Sequence, residues 1–151
     1  YMRIMKIRFE DRLTWQVNMP GEYRTVLIPK LIVQPIAENA ILHGIGNKVG
    51  PGSVNVIVDA EEVNGRKYLL IKVEDDGAGM DRDTQRKVMD NLTYENKVDS
   101  TKHGLALLNV NQRLRLAYNT YDSEVMKTGI SIESELGKGT SVFIRVPLME
   151  E

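Results

Sequence analysis

The sequence predicts an α+β fold: a two-layer sandwich in which one mixed sheet packs on helices. Three observations predict it. Two pairs of apolar segments are each joined by a short glycine turn, the mark of a β-hairpin. Helical segments stand before each pair, giving the order helix, hairpin, helix, hairpin, which suits hairpins covered on one face and not a doubly wound parallel sheet. The length of 151 residues fits one domain at ~100–200 residues per domain, enough to bury about two-thirds of its unfolded surface.

Residues 4–17 mix apolar and charged side chains without a clean period and read as strand. Gly21-Glu22 is a turn. Residues 29–45 read as helix, with Pro29 favourable in the first turn, Gly44 and Gly46 as stop signals, and a kink or restart at Pro35. A Gly/Pro-rich loop over 46–52 leads into strand 53–60, and Asn64-Gly65 signals a hairpin to strand 68–74. Residues 75–79 form a turn, 81–92 a polar helix, and the charged stretch 94–102 a mobile surface loop. Residues 105–118 form a helix whose apolar residues are Leu105, Leu107, Leu108, Val110, Leu114 and Leu116. Strands 130–134 and 140–147 flank the turn Gly137-Lys138-Gly139. One face of the sheet packs on helices, and the other meets solvent or a partner.

Composition narrows the function classes. Cysteine is absent, which excludes disulfide scaffolds, thiolate zinc sites and thiol chemistry. Lys+Arg 20 against Asp+Glu 21 gives a net charge of −1, without the basic footprint of a nucleic-acid binder. No apolar run approaches a membrane span, and charges at Arg3, Lys6 and Arg8 break any signal peptide, so a cytoplasmic location without direct membrane contact is expected. The opening at Tyr1 points to a fragment of something longer, whose parent could still sit in a membrane. Histidine occurs only twice, as His43 and His103.

Familiar nucleotide and metal motifs fail. The only Gly-Lys pair, Gly137-Lys138, has Ile132 where a phosphate loop needs glycine and is followed by Gly139. The acidic cluster Asp75, Asp76, Asp81 and Asp83 lacks calcium-loop spacing. Gly77-Ala78-Gly79 lacks the third glycine of a dinucleotide fingerprint. Four features remain. Glu38-Asn39 stand on an otherwise apolar helix, where polar groups are costly unless paired or facing a cavity, and Asn39 shares a face with His43. Asp75, at a strand end before Gly77 and Gly79, suits an exocyclic amine, because an ionised Asp only accepts and glycines let backbone approach a flat ligand. Gly104 opens a long helix, where free N–H groups favour anions. Gly137-Lys138-Gly139-Thr140 is the fourth. Taken singly, each is equally a solvated stripe, an Asp-Gly turn, a helix entry or a hairpin turn.

Taken in order they carry a resemblance. Residues 28–44 (IPKLIVQPIAENAILHG) resemble the N box of LytS/YesM-type bacterial sensor histidine kinases. Asp75-Asp76-Gly77-Ala78-Gly79-Met80 is similar to their first glycine box, and residues 104–114 (GLALLNVNQRL) to the second with its Asn-Val-x-x-Arg-Leu continuation. Gly137-Lys138-Gly139-Thr140 followed by Val146-Pro147-Leu148 is similar to their terminal box, and residues 6–13 to the segment before the N box. The match spans essentially the whole chain.

The resemblance implies a GHKL (Bergerat) ATP-binding sandwich over residues 1–151, with 1–27 as linking segment and first strands and 28–151 as nucleotide-binding core. It implies that Asp75 accepts a hydrogen bond from the adenine amine, supported by Thr140, while Gly77 and Gly79 shape the pocket. Gly104 and the following backbone would close over the phosphates, with residues 81–103 as lid. His43, Met80 and Leu105 are likewise assigned to the nucleotide. Asn39 would bind Mg²⁺ through its side-chain oxygen, and Glu38 would orient a metal-bound water or assist proton removal as the catalytic residue. The implied activity is transfer of the ATP γ-phosphoryl to a histidine in an upstream dimerisation domain, which neither His43 nor His103 resembles in context. The implied partners are that domain and a response regulator, and the parent would be a homodimer in the bacterial inner membrane.

Three positions depart from the pattern: Asp76 for Asn, Ala106 for the second glycine of its box, and Leu42 for a Lys before the His-Gly pair. Ala106 and Leu42 favour a competing reading, a degenerate nucleotide-binding module that regulates without phosphotransfer. An ATPase clamp of the gyrase or chaperone type would carry a catalytic Glu four residues before the metal-binding Asn, where this chain has Pro35.

Overall fold

The computed structural model describes residues 1–94, 102–118 and 128–148. Five strands form one sheet: β1 (Leu13–Asn18), β2 (Gly52–Val63), β3 (Arg66–Asp75), β4 (Gly129–Glu135) and β5 (Gly139–Pro147), in the order β1-β2-β3-β5-β4. The β2–β3, β3–β5 and β4–β5 pairs are antiparallel, and β1 lies parallel to β2. The hairpin expected at Asn64-Gly65 is present. Both residues have positive φ, 52° and 74°, as a two-residue turn matched to strand twist requires.

The helices are α1 (Met2–Phe9), α2 (Gln34–Asn39, continued by π-helical turns over Ala40–Ile45), α3 (Arg82–Tyr94) and α4 (Lys102–Tyr118). Alternation on the strands explains the layering. Val54, Val56 and Val58 on β2, Leu69, Ile71 and Val73 on β3, and Val142, Ile144 and Val146 on β5 are buried in one core with Ile36, Ile41, Leu107 and Leu114 from the helices. The intervening residues lie on the opposite face. There Arg145 grips Glu61 with two bonds of 2.7 and 3.1 Å, and Lys72 lies over the Phe143 ring and pairs with Glu74. That face is polar enough to meet water.

Several expectations need correction. The segment expected as strand over 4–17 begins as helix α1, and only Leu13–Asn18 is strand. Met2, Met5 and Phe9 turn inward at helical spacing, while Ile4 and Ile7 remain exposed, so the apolar residues serve two faces and blur the period. The N-terminal part thus supplies one strand, not several. The second helix starts at Gln34 and not at 29. Pro35 therefore stands in its first turn, where a missing N–H costs nothing, and causes no kink there. In α4, Leu105 and Leu116 are exposed, so the core contacts come from Leu107, Leu108, Val110 and Leu114. The start of α3 is capped by Asp81, whose carboxylate accepts from the Thr84 N–H at 2.8 Å. Of the expected mobile loop, residues 95–101 lie outside the described residues, as does that part of the expected lid. Among the described residues, no helix is long and apolar enough to cross a membrane.

Candidate nucleotide site

The end of β3 meets the C-terminal half of α2 and the β4–β5 hairpin, and the features singled out in the sequence converge there. Helix α2 widens after Asn39: Gly46 N–H bonds to Ile41 O, five residues back, at 2.8 Å. Such π-turns often mark functional positions. This one carries Gly44 against the carboxylate of Asp75. A Cβ on Gly44 would lie 2.5 Å from Asp75 Oδ1, and a Cβ on Gly77 would strike the Gly44 backbone. Glycine at both positions lets helix and loop touch.

The loop after Asp75 is suspended from both sides. Ala78 N–H donates to Gly44 O at 3.1 Å, and Gly137 N–H donates to Ala78 O at 2.7 Å. Met80 N–H donates to Ser134 Oγ at 2.8 Å. Gly79 has φ +67°, and a side chain there would run into the Glu135 carbonyl. Asp76 anchors the other flank by accepting from Ser53 N–H at 2.7 Å and pairing with Lys48 at 3.4 Å. Burial pushes the Asp76 carboxyl up, but the Ser53 and Lys48 donors outweigh it and hold the group below its ordinary value. Aspartate here therefore acts as a strand anchor.

Asp75 is different. Burial raises its pKa from 3.8 to about 6, against the lowering effect of N–H bonds from Gly77 and Thr140. The Gly77 bond measures 2.9 Å to Oδ1. A carboxylate kept this dry without a cationic partner large enough to restore its pKa fits a ligand donor.

The cleft beside Asp75 is lined by Asn39 and His43 from α2, Gly79 and Met80 from the loop, Thr140 from β5 and Leu107 from α4. Six of the residues expected at the site thus come together: Asn39, His43, Asp75, Gly79, Met80 and Thr140. Gly77 lies buried beneath the cleft as a backbone donor to Asp75. Glu38 is exposed beside Asn39 and does not line the cleft. Gly104 is buried in the first turn of α4, and Leu105 is 51% exposed; neither lines the cleft, where Leu107 stands instead. The free space is about 30 Å³, far too little for a purine ring, so the residues lining the cleft must move apart to admit one.

Ser134 escaped the sequence reading. It faces Thr140 across the hairpin, and the two are placed symmetrically about Gly137, a spacing that could have revealed the pair. Among the described residues no group of three or more His, Asp or Glu side chains could hold a metal by itself.

Known proteins share the family and the fold of this chain. Residues 26–150 match the family model described as histidine kinase-, DNA gyrase B- and HSP90-like ATPase. The chain is 31% identical over 151 residues to sensor histidine kinase YesM of Bacillus subtilis, an alignment covering all of this chain and 22% of YesM. It is 33% identical to sensor protein LytS of Staphylococcus haemolyticus, covering 97% of this chain and 23% of LytS. The chain therefore spans about a fifth of the length of these relatives. The histidine kinase domain of an Erythrobacter litoralis blue-light-activated kinase shares the fold, with a TM-score of 0.59 at 19% identity over 97% of this chain and 57% of that one. A half-buried Asp at a strand end, the glycine loop after it and an Asn-bearing helix across the cleft thus occur in a chain that belongs to the histidine kinase-, DNA gyrase B- and HSP90-like ATPase family.

Proposed function

We propose that this domain binds Mg-ATP and passes its γ-phosphoryl group to a histidine on an upstream dimerisation domain of the same sensor kinase, from which a response regulator takes it. In this reading the domain works on the cytoplasmic side of a homodimeric inner-membrane parent. The observation that carries the reading is the shared cleft. A half-buried acceptor for a base amine, Asp75, and a polar helix position suited to the phosphate end, Asn39, line one space.

Each residue has a separate task. Asp75 accepts from the adenine amine, with Thr140 beside it as cross-strand partner. Gly77 holds the carboxylate through its N–H, and Gly79, free of a side chain, lets the loop lie against the Glu135 carbonyl. Met80 and His43 close over the nucleotide from the loop and the π-turn. The amide ends of α4 near Gly104 and Leu105 approach the phosphates once the cleft opens. The donor set fits magnesium delivered with the nucleotide: Mg²⁺ retains several waters and needs one or two protein oxygens, and Asn39 supplies one. Bound there, the ion would neutralise phosphate charge. Glu38, exposed next to Asn39, orients water at the cleft mouth. Its demand as a base is small, because a neutral imidazole attacks phosphorus with its own lone pair. One N–P bond forms as the bond to the β-phosphate oxygen breaks, and ADP leaves. Positioning and charge neutralisation account for most of the rate.

The test combines this domain with the upstream acceptor segment and γ-labelled ATP. Acid-labile, base-stable label on the acceptor is expected, and Asn39→Ala should lower its rate at least ~100-fold while ADP still binds. ADP binding without any labelled acceptor would overturn phosphotransfer and leave the regulatory module that Ala106 and Leu42 favour.

A further inference from the structure

Ser134, Thr140 and Asp75 form one row across β4, β5 and β3, since Ser134 pairs with Thr140 and Thr140 pairs with Asp75 in register. Ser134 Oγ has three neighbours. It accepts from Met80 N–H at 2.8 Å, lies 3.0 Å from Gly139 O and lies 2.8 Å from Thr140 Oγ1. A serine hydroxyl has one proton and two lone pairs. Gly139 O can only accept, so Ser134 must give its proton there. One lone pair already serves Met80. The remaining contact is then made only if Thr140 donates its proton to the second lone pair. A single assignment of the two hydroxyl protons satisfies all three contacts, and it leaves Ser134 saturated.

The consequence falls on Thr140. With its proton turned toward Ser134, its oxygen offers only lone pairs to the cleft that it lines beside Asp75. An ionised Asp75 likewise only accepts. We propose that Ser134 is a specificity-determining positioning residue: by drawing the Thr140 proton away, it makes the base-facing edge acceptor-only and selects amino-purine over oxo-purine nucleotides. This deepens the ATP-site reading and rests on it. An exocyclic amine supplies N–H groups to both acceptors. A carbonyl at the same ring position brings lone pairs against lone pairs, and buried groups left unpaired discriminate strongly.

Calorimetry with ADP and IDP tests this on the whole chain, because the two nucleotides differ in the group at that ring position and in the proton that the oxo base carries on the neighbouring N1; the readout is therefore the change in their affinity ratio between variants. The wild-type protein should prefer ADP. In Ser134→Ala the Thr140 hydroxyl is free to turn and donate to a carbonyl, so the ADP/IDP affinity ratio should narrow at least ~5-fold. Ser134→Thr keeps the hydroxyl and should restore the ratio. If Ser134 merely props the Met80 loop, both nucleotides weaken together and the ratio stays constant, which overturns the proposal. Thr140→Val leaves Ser134 and its bond to Met80 in place and removes only the second acceptor. It should narrow the ratio as well, so the proposal remains testable if Ser134→Ala fails to fold, and an unchanged ratio there overturns it. A wild-type protein that binds neither nucleotide would instead overturn the ATP-site reading itself. One that binds both equally would overturn the selectivity alone.

Discussion

At the scale of single residues, Asp75 sets the requirements of a binding site against those of a stable protein. Its native carboxyl keeps a proton up to about pH 6, whereas the ordinary value is 3.8. Between those values the native state binds more protons than the unfolded state, so stability falls as pH rises through the window and the loss is complete above pH 6. The gap corresponds to ~3 kcal/mol. Asp75→Asn removes the buried charge but also weakens the bonds from Gly77 and Thr140, so the free protein should gain about 1–2 kcal/mol at pH 7.5 and little at pH 4. The same variant should lose about 1–3 kcal/mol of ADP affinity, because a charge-assisted acceptor is gone. Urea unfolding at the two pH values and calorimetry at pH 7.5 check both halves. A variant less stable than wild type at pH 7.5, or one with unchanged ADP affinity, would contradict this account. Asp75 and Asn39 were legible in the sequence because each sits inside a contiguous motif. Ser134 was not, because its role arises from pairing across a hairpin, and Asp76 reveals its anchoring of Ser53 only when the two strands are placed side by side.

Among the elements, α4 joins the parts that no local pattern connects. Asn111 is buried in its middle, donating to Leu92 O at the end of α3 at 3.3 Å and accepting from Ile130 N–H at the start of β4 at 2.9 Å. Two residues on, about half a turn around the helix, Arg113 donates to the carbonyls of Lys30 and Leu31, both at 3.1 Å. Leu31 has φ +57°, a conformation uncommon for a bulky side chain, and the guanidinium holds the chain there just before α2 begins. Replacing Asn111 with Leu keeps most of the volume but strands the Ile130 N–H without its acceptor. The expected cost is about 2–4 kcal/mol, read as a lower urea midpoint with an unchanged slope; a loss under ~0.5 kcal/mol would show that the bonds are not what holds the three elements. These ties explain what the sequence could not deliver. Hairpin strands follow from alternation and turn chemistry, which are local. The parallel pairing of β1 with β2, the helical start of α1 and the true start of α2 depend on what each segment packs against. Pro35 illustrates this: the same residue reads as a kink when the helix is begun at 29 and as a first-turn residue when it begins at Gln34.

For the molecule as a whole, the cleft is the seam between its two layers, with α2 and α4 on one side and β3, β5 and the loop 75–80 on the other. A ligand there ties helix layer to sheet layer, so binding should register as global stability. For a site occupied at 100 times its Kd, linkage gives ~2.7 kcal/mol, and at about 2–4 °C per kcal/mol for a domain of this size the melting temperature should rise by ~5–10 °C. Because the cleft has only about 30 Å³ of free space, the ring must first separate the residues that line it, and the seam must then close around it. The Ala78 and Gly137 amides, whose bonds run from the loop to the π-turn and to the hairpin, should therefore exchange more slowly with ADP bound. Three thermal melts separate the contributions. ADP with Mg²⁺ should give the full shift in wild type. Adding a chelator should remove the part that depends on the phosphate end near Asn39 and leave the part due to the base. Asp75→Asn should start from a higher melting temperature at pH 7.5 yet shift less with ADP, because the residue that destabilises the empty cleft is the one that holds the ligand in it. A shift in Asp75→Asn equal to that of wild type would place the base elsewhere, and with it the seam.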